Sequence, residues 1–310
     1  VAAAVAPRAV VVLTSARSGS SVTTHALQVL GVDLGDRLRK AAGKNPKGFF
    51  EDSEIIALSR RLRKHLIGGR RLALVPDARW QHPRVAALED EAVTLLRRRF
   101  GESPIWGFKT GRTLRFLPFW ERVLERCGVE TQYVVALRNP MASATSRREA
   151  RQARFLDQDP GVALNVFQWL VEIVPYFERL RGRPFVVVEF DQLTAHPRAQ
   201  LERLAQRLQL TTAADAYADF AGTFLDDGLR HQRHDVAHLD TSPLVHPLAR
   251  DAYHWLHAFA CDTLTADDAA VWADWSRIRQ ELLALAPLLN GPTPFLAALG
   301  NRLRRNRNGR

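Results

Sequence analysis

Arg17, Lys109 and Arg138 each stand at or just past an apolar run, and each is followed closely by hydroxylated or small residues. The first case is the sharpest. "AVVVLT" (9–14) opens into "SARSGSS" (15–21), one cation among serines and a glycine. Small residues let backbone N–H groups approach a phosphate, and the N-terminus of a following helix adds partial positive charge. Against the phosphate-loop pattern G-x-x-x-x-G-K-[ST], the spacing fits: Thr14, four residues, then Gly19, Ser20 and Ser21. Two identities do not. Thr14 replaces the first glycine, Ser20 replaces the lysine that reaches β and γ phosphates, and the cation has moved to Arg17. The loop therefore suits a phosphate that is not the tail of a nucleoside triphosphate. An ordinary serine-rich strand–helix turn is the alternative.

A second anion element reads "LRNPMASATS" (137–146). Arg138 leaves a strand end, Pro140 opens a helix, and Ser146 follows nearly two turns on. The arginine fork and a hydroxyl at that spacing can converge on another phosphate. Two such elements after two strands imply a nucleotide phosphorylated at two separate places. The competing reading of Arg138 is a salt-bridged or solvated side chain.

These residues need a scaffold that brings strand ends together. Four short runs read as buried strands: 9–14, "IWGFK" (105–109), "QYVVALR" (132–138) and "PFVVVEF" (184–190). Their apolar residues are consecutive rather than alternating, the pattern of parallel strands covered on both faces. Helical patterns lie between them, at 21–31, 114–128, 141–155, 164–182 and 197–210. Strand alternating with helix predicts an α/β protein, a P-loop-like three-layer fold with a central parallel sheet flanked by helices. In such sheets ligands bind beyond the carboxyl ends of the strands. Residues 52–104 form a helical excursion expected to shape the acceptor pocket. Residues 1–264 read as the catalytic domain and 265–310 as a helical extension with a basic tail.

The 310 residues are 46% hydrophobic, which excludes global disorder. No run approaches the roughly 20 apolar residues that span a bilayer. Pro7 and Arg8 interrupt the first apolar stretch, so no signal peptide is expected. Cys127 and Cys261 form no framework, in keeping with a reducing cytoplasm. The net charge of +11 points to an anionic partner: nucleic acid, a lipid surface or a phosphate-rich small molecule.

On the two phosphate motifs the chain resembles the sulfotransferases that use 3′-phosphoadenosine 5′-phosphosulfate (PAPS). In that family a [KR]-S-G-[TS]-[TS] loop holds the 5′-phosphosulfate, which implies that role for Arg17, Ser18, Gly19, Ser20 and Ser21. An Arg-x-Pro element with a serine eight positions after the arginine binds the 3′-phosphate, implying Arg138 and Ser146. "NPKGFFED" (45–52) and "WGFKTGRTLRFLPFW" (106–120) resemble the bacterial stand-alone branch. "GLRH" (228–231) resembles a late loop that contributes a basic contact, here Arg230. PAPS is then the co-substrate, with no metal, and the acceptor is a hydroxyl or amine of a carbohydrate, lipid or small metabolite.

Sulfuryl transfer, like phosphoryl transfer, needs an in-line approach and cations on the leaving side. Arg17 and Lys109 are the candidates. In the cytosolic branch the second strand ends Lys-Thr-His; here it reads Lys109-Thr110-Gly111, so no histidine base stands at that point. The carbohydrate-modifying branch uses a glutamate near an aromatic pair, and "GFFED" puts Glu51 in a comparable place. Glu51 and Asp52 could equally cap the helix expected from Ser53. His231, His234 and His238 share a helical spacing but lack a completing ligand, so no metal is expected. The arginines of "NRLRRNRNGR" (301–310) form either a solvated end or a peripheral membrane contact. Two other functions compete: a P-loop nucleotide kinase-like phosphotransferase, opposed by Ser20, and a non-catalytic nucleic-acid-binding protein, which leaves the paired phosphate elements unexplained.

Overall fold

A computed structural model describes residues 7–41, 48–68, 70–152, 161–211, 217, 220 and 236–290. Strands β1 (Arg8–Thr14), β2 (Ile105–Lys109), β3 (Glu130–Leu137) and β4 (Phe185–Glu189) form one parallel sheet in the order β2-β1-β3-β4. All four lie within two residues of the runs read from the sequence. β1 is central, and Ala9 to Leu13 are wholly buried, which is why that run carries no polar alternation. The register sets Val12 beside Lys109 and Val134, Thr14 beside Ala136, and Leu137 beside Glu189. Lys109, the residues after Thr14, and Arg138 therefore emerge at the same edge of the sheet.

Each face of the sheet has its own apolar layer. Val10, Val12, Val134, Ala136, Val186 and Val188 pack under α1 (Ser20–Val29), α8 (Phe190–Ala195) and α9 (Pro197–Leu208). Ala9, Val11, Leu13, Val135 and Leu137 face a larger core. That core is built from α2 (Ser53–Ile67), α4 (Pro83–Phe100), α5 (Leu117–Cys127) and α7 (Gly161–Phe177). The short α3 (Asp77–Trp80) joins α2 to α4 in the excursion, and α6 (Pro140–Gln152) follows β3. Helix–sheet–helix layering is the α/β arrangement expected of strands with continuous apolar sequence.

The segment 114–128 is not one helix: Leu114–Phe116 forms a 3₁₀ turn before α5, with Pro118 in the first turn of α5. Beyond residue 265, Trp272 and Trp275 of helix Ala269–Ala284 are buried and join the larger core, with the Trp275 ring tilted against those of Phe177 and Trp255. No helix among the described residues is long and apolar enough to cross a membrane.

Candidate functional site

The turn between β1 and α1 is built on two left-handed residues. Arg17 has φ 71° and Gly19 φ 78°. Left-handed residues alternating with an ordinary one, Ser18, turn backbone N–H groups toward one concave side, the geometry of an anion nest. For a side chain as large as arginine this conformation costs about 1–3 kcal/mol, strain that marks functional turns. A Cβ on Gly19 would lie 2.2 Å from the Phe190 ring, so only glycine fits. Thr14 Oγ1 and Ser18 Oγ share a hydrogen bond inside the turn, which accounts for a hydroxyl where the phosphate-loop pattern has its first glycine.

The cation missing at position 20 is supplied in space by another strand. Lys109 Nζ donates to Ser20 Oγ at 3.3 Å and Ser21 Oγ at 3.0 Å. It also lies 3.6 Å from Glu51 Oε1. Burial pushes the Lys109 ammonium down to about 8, against the pull of Glu51, while Arg39 and Arg17 add repulsion. Glu51 is buried and its Oε2 accepts from Arg39 Nη1 at 2.8 Å. The helix cap is its neighbour: Asp52 Oδ1 accepts from the Glu54 and Ile55 backbones and opens α2. Asp52 also pairs with Arg99 at 2.9 Å. Capping and site contact are thus divided between the two carboxylates.

Ser146 is brought to Arg17, whose Nε and Nη2 donate to its Oγ at 3.1 and 2.9 Å. Ser143 Oγ donates to the Arg17 carbonyl, so α6 and the first loop are joined. Arg138 is buried beside them and its guanidinium stacks on Phe190 at 4.4 Å. One ring therefore backs both Gly19 and Arg138. Burial holds Arg138 below arginine's usual range, against the attraction of Asp191. At the end of β4, burial and then Asp191 push Glu189 up to about 7, and its Oε2 caps α8 through Gln192 N.

Phe190, Arg39, Ser143, Arg147 and Glu172 support the site without having been singled out from sequence. Only Phe190 carried a signal, as the aromatic directly after the fourth strand. Arg230, His231, His234 and the basic tail lie outside the described residues, and His238 sits in helix Val236–Thr241. Among the described residues no group of three or more His, Cys, Asp or Glu could hold a metal ion. A Cβ on Gly111 would meet nothing within 4 Å, so packing does not demand glycine there.

No family model and no curated protein matches the chain. Among solved structures it is similar to the sulfotransferase domain of the olefin synthase from Synechococcus: 18% identity, TM-score 0.44, 90% of this chain and 95% of that one covered. It is similar to a sulfotransferase from Mycobacterium avium, with 14% identity, TM-score 0.46, and coverage of 88% and 76%. A third is retinol dehydratase in complex with androsterone and the inactive cofactor PAP: 12% identity, TM-score 0.37, and coverage of 90% and 80%.

Proposed function

We propose that the protein is a PAPS-dependent sulfotransferase, acting in the cytoplasm on a hydroxyl or amine of its acceptor. One observation carries this reading. A buried lysine from β2 takes the place of the absent phosphate-loop lysine and touches a buried carboxylate at the same time. That arrangement puts a cation and a proton acceptor together beside the loop. A sulfuryl transfer needs both, the cation for the leaving oxygen and the base for the attacking one.

The residues fit a 3′,5′-bisphosphate nucleotide. Residues 17–21, with Arg17 and Lys109, would hold the 5′ end, and the buried Arg138 the 3′-phosphate. Arg230 is a further candidate for the latter. When bound, the nucleotide supplies an activated sulfuryl group. Glu51 accepts the proton of the attacking hydroxyl. As its charge is neutralised, its hold on Lys109 weakens, and the ammonium becomes available to the leaving phosphate. Arg17 and Lys109 bring the positive charge that a metal brings elsewhere.

Thermal unfolding with added nucleotides tests the assignment. 3′-Phosphoadenosine 5′-phosphate (PAP) should stabilise the chain by about 2.7 kcal/mol at 100 times its dissociation constant. Magnesium ATP and AMP should do less, and equal or greater stabilisation by magnesium ATP would favour the kinase reading. Arg138→Ala separates the two phosphate sites. It should weaken PAP by about 1.5–3 kcal/mol, the range for hydrogen bonds to charged groups. Adenosine 5′-phosphosulfate, without a 3′-phosphate, should bind as before, and an equal loss for both ligands would make Arg138 structural.

A further inference from the structure

Beneath the first loop lies a group of arginines that nucleotide binding does not use. Glu172, midway along α7, is wholly buried. It accepts from Arg112 Nε at 2.7 Å, Gln168 Nε2 at 2.7 Å, Arg147 Nη2 at 3.5 Å and the Ala16 N–H at 3.4 Å. Burial raises this carboxyl, yet Arg112, Arg147 and Arg115 together hold it down at about 2. It is ionised throughout the physiological range and is the one carboxylate paired with these cations among the described residues.

The positive charge around it is far larger. Arg115 is fully buried and donates to the Arg71 and Ala73 carbonyls, fastening the segment that carries Arg71. Arg63, on α2 and largely at the surface, is held below arginine's usual range by partial desolvation and then by repulsion from Arg112, Arg60, Arg115 and Arg71. No carboxylate among the described residues pairs with Arg63 or Arg71. Arg147 is buried with Nε and Nη1 unpartnered among the described residues, although Nη2 donates to Ala16 O at 3.0 Å. Desolvated guanidinium groups without partners are expensive, and like charges crowded together are more so. An anion relieves both costs, and the planar fork of arginine suits carboxylate, phosphate or sulfate.

The group also adjoins the reacting centre. Arg112 is three residues beyond Lys109, Arg147 directly follows Ser146, and Ala16 directly precedes Arg17. Resting on the sulfotransferase reading, we infer that the acceptor is itself an anion. Besides its reacting hydroxyl or amine it carries a phosphate, sulfate or carboxylate, which is seated on Arg63, Arg71, Arg112 and Arg147. Such a concentration of positive charge raises the local concentration of anionic acceptors and disfavours neutral sugars and sterols.

Calorimetric titration of the full chain saturated with PAP tests this, with sodium sulfate, phosphate and acetate as probes at constant ionic strength. With the nucleotide sites filled, one further anion should bind. Sulfate or phosphate binding ahead of acetate assigns the group to an ester dianion, and the reverse order to a carboxylate. Arg63→Gln/Arg71→Gln changes exposed side chains only and should weaken the preferred probe about tenfold or more. Arg63→Lys/Arg71→Lys should retain most of the affinity. Loss of all anion binding once PAP is present would overturn the inference, and so would unchanged affinity in the double glutamine variant. Failure of PAP itself to bind would overturn the nucleotide reading instead, and the anion site is then judged from the same variants without nucleotide.

Discussion

Lys109→Ala should lower turnover by about 10²–10³-fold, the size of effect seen when one donor to a developing oxyanion is removed. Two physical facts put the loss at that scale. The ammonium is buried at the end of β2 and touches the hydroxyls of Ser20 and Ser21. Charge in a water-excluded site also acts more strongly than charge in solvent. Because burial has lowered Lys109 to about 8, its charge is lost within an accessible range. Nucleotide affinity in the wild type should fall as pH rises through about 8, while Lys109→Ala binds weakly at every pH. Native stability has the opposite slope. Between about 8 and the ordinary lysine value, the unfolded chain keeps a proton that the folded chain has released, so stability rises with pH there. The difference between wild type and Lys109→Ala isolates both slopes from other titrating groups. Lys109→Arg keeps a charge that does not titrate and should remove the break near 8. A break that survives in Lys109→Arg would assign the titration to another group.

The sheet was legible because central parallel strands must be apolar on both faces, and few other elements yield runs such as Ala9–Leu13. Arg17, Lys109 and Arg138 could be found for the same reason: they stand at the ends of those runs, so local sequence carries their position. Glu51 and Asp52 show the limit of that logic. Both are acidic residues just before a helix, and only the folded chain shows that Asp52 caps α2 while Glu51 turns to Lys109 and Arg39. Ser146 lies eight residues after Arg138 and can be linked to it by local spacing, but its contact with Arg17, 129 residues away, shows only in the fold. Glu172 and Arg147 left no signal at all. A glutamate inside an apolar helix and one arginine among 44 basic residues acquire meaning only through contacts distant in sequence. Part of the chain's excess of positive charge is buried around Glu172, in Arg115 and Arg147, rather than spread over the surface.

Glu51→Gln should reduce turnover by about 10²–10⁴-fold, the range for a lost general base. The substitution keeps size and a hydrogen-bond acceptor, so Arg39 retains a partner and the cap at Asp52 is untouched. Its effect on the nucleotide side runs through Lys109. Glu51 favours the charged lysine, so removing its charge lets burial push Lys109 further down. Nucleotide affinity should then be near normal at pH 6, where the ammonium persists, and should begin to fall at a lower pH than in the wild type. A residue that only held Lys109 in place would behave differently: turnover at saturating nucleotide would recover at pH 6 along with binding. A true base cannot recover that way, because glutamine accepts no proton at any pH. Turnover measured at pH 6 and pH 8 with saturating nucleotide therefore decides between the roles. Persistent loss at pH 6 assigns proton transfer to Glu51, and recovery there assigns it a positioning role through Lys109.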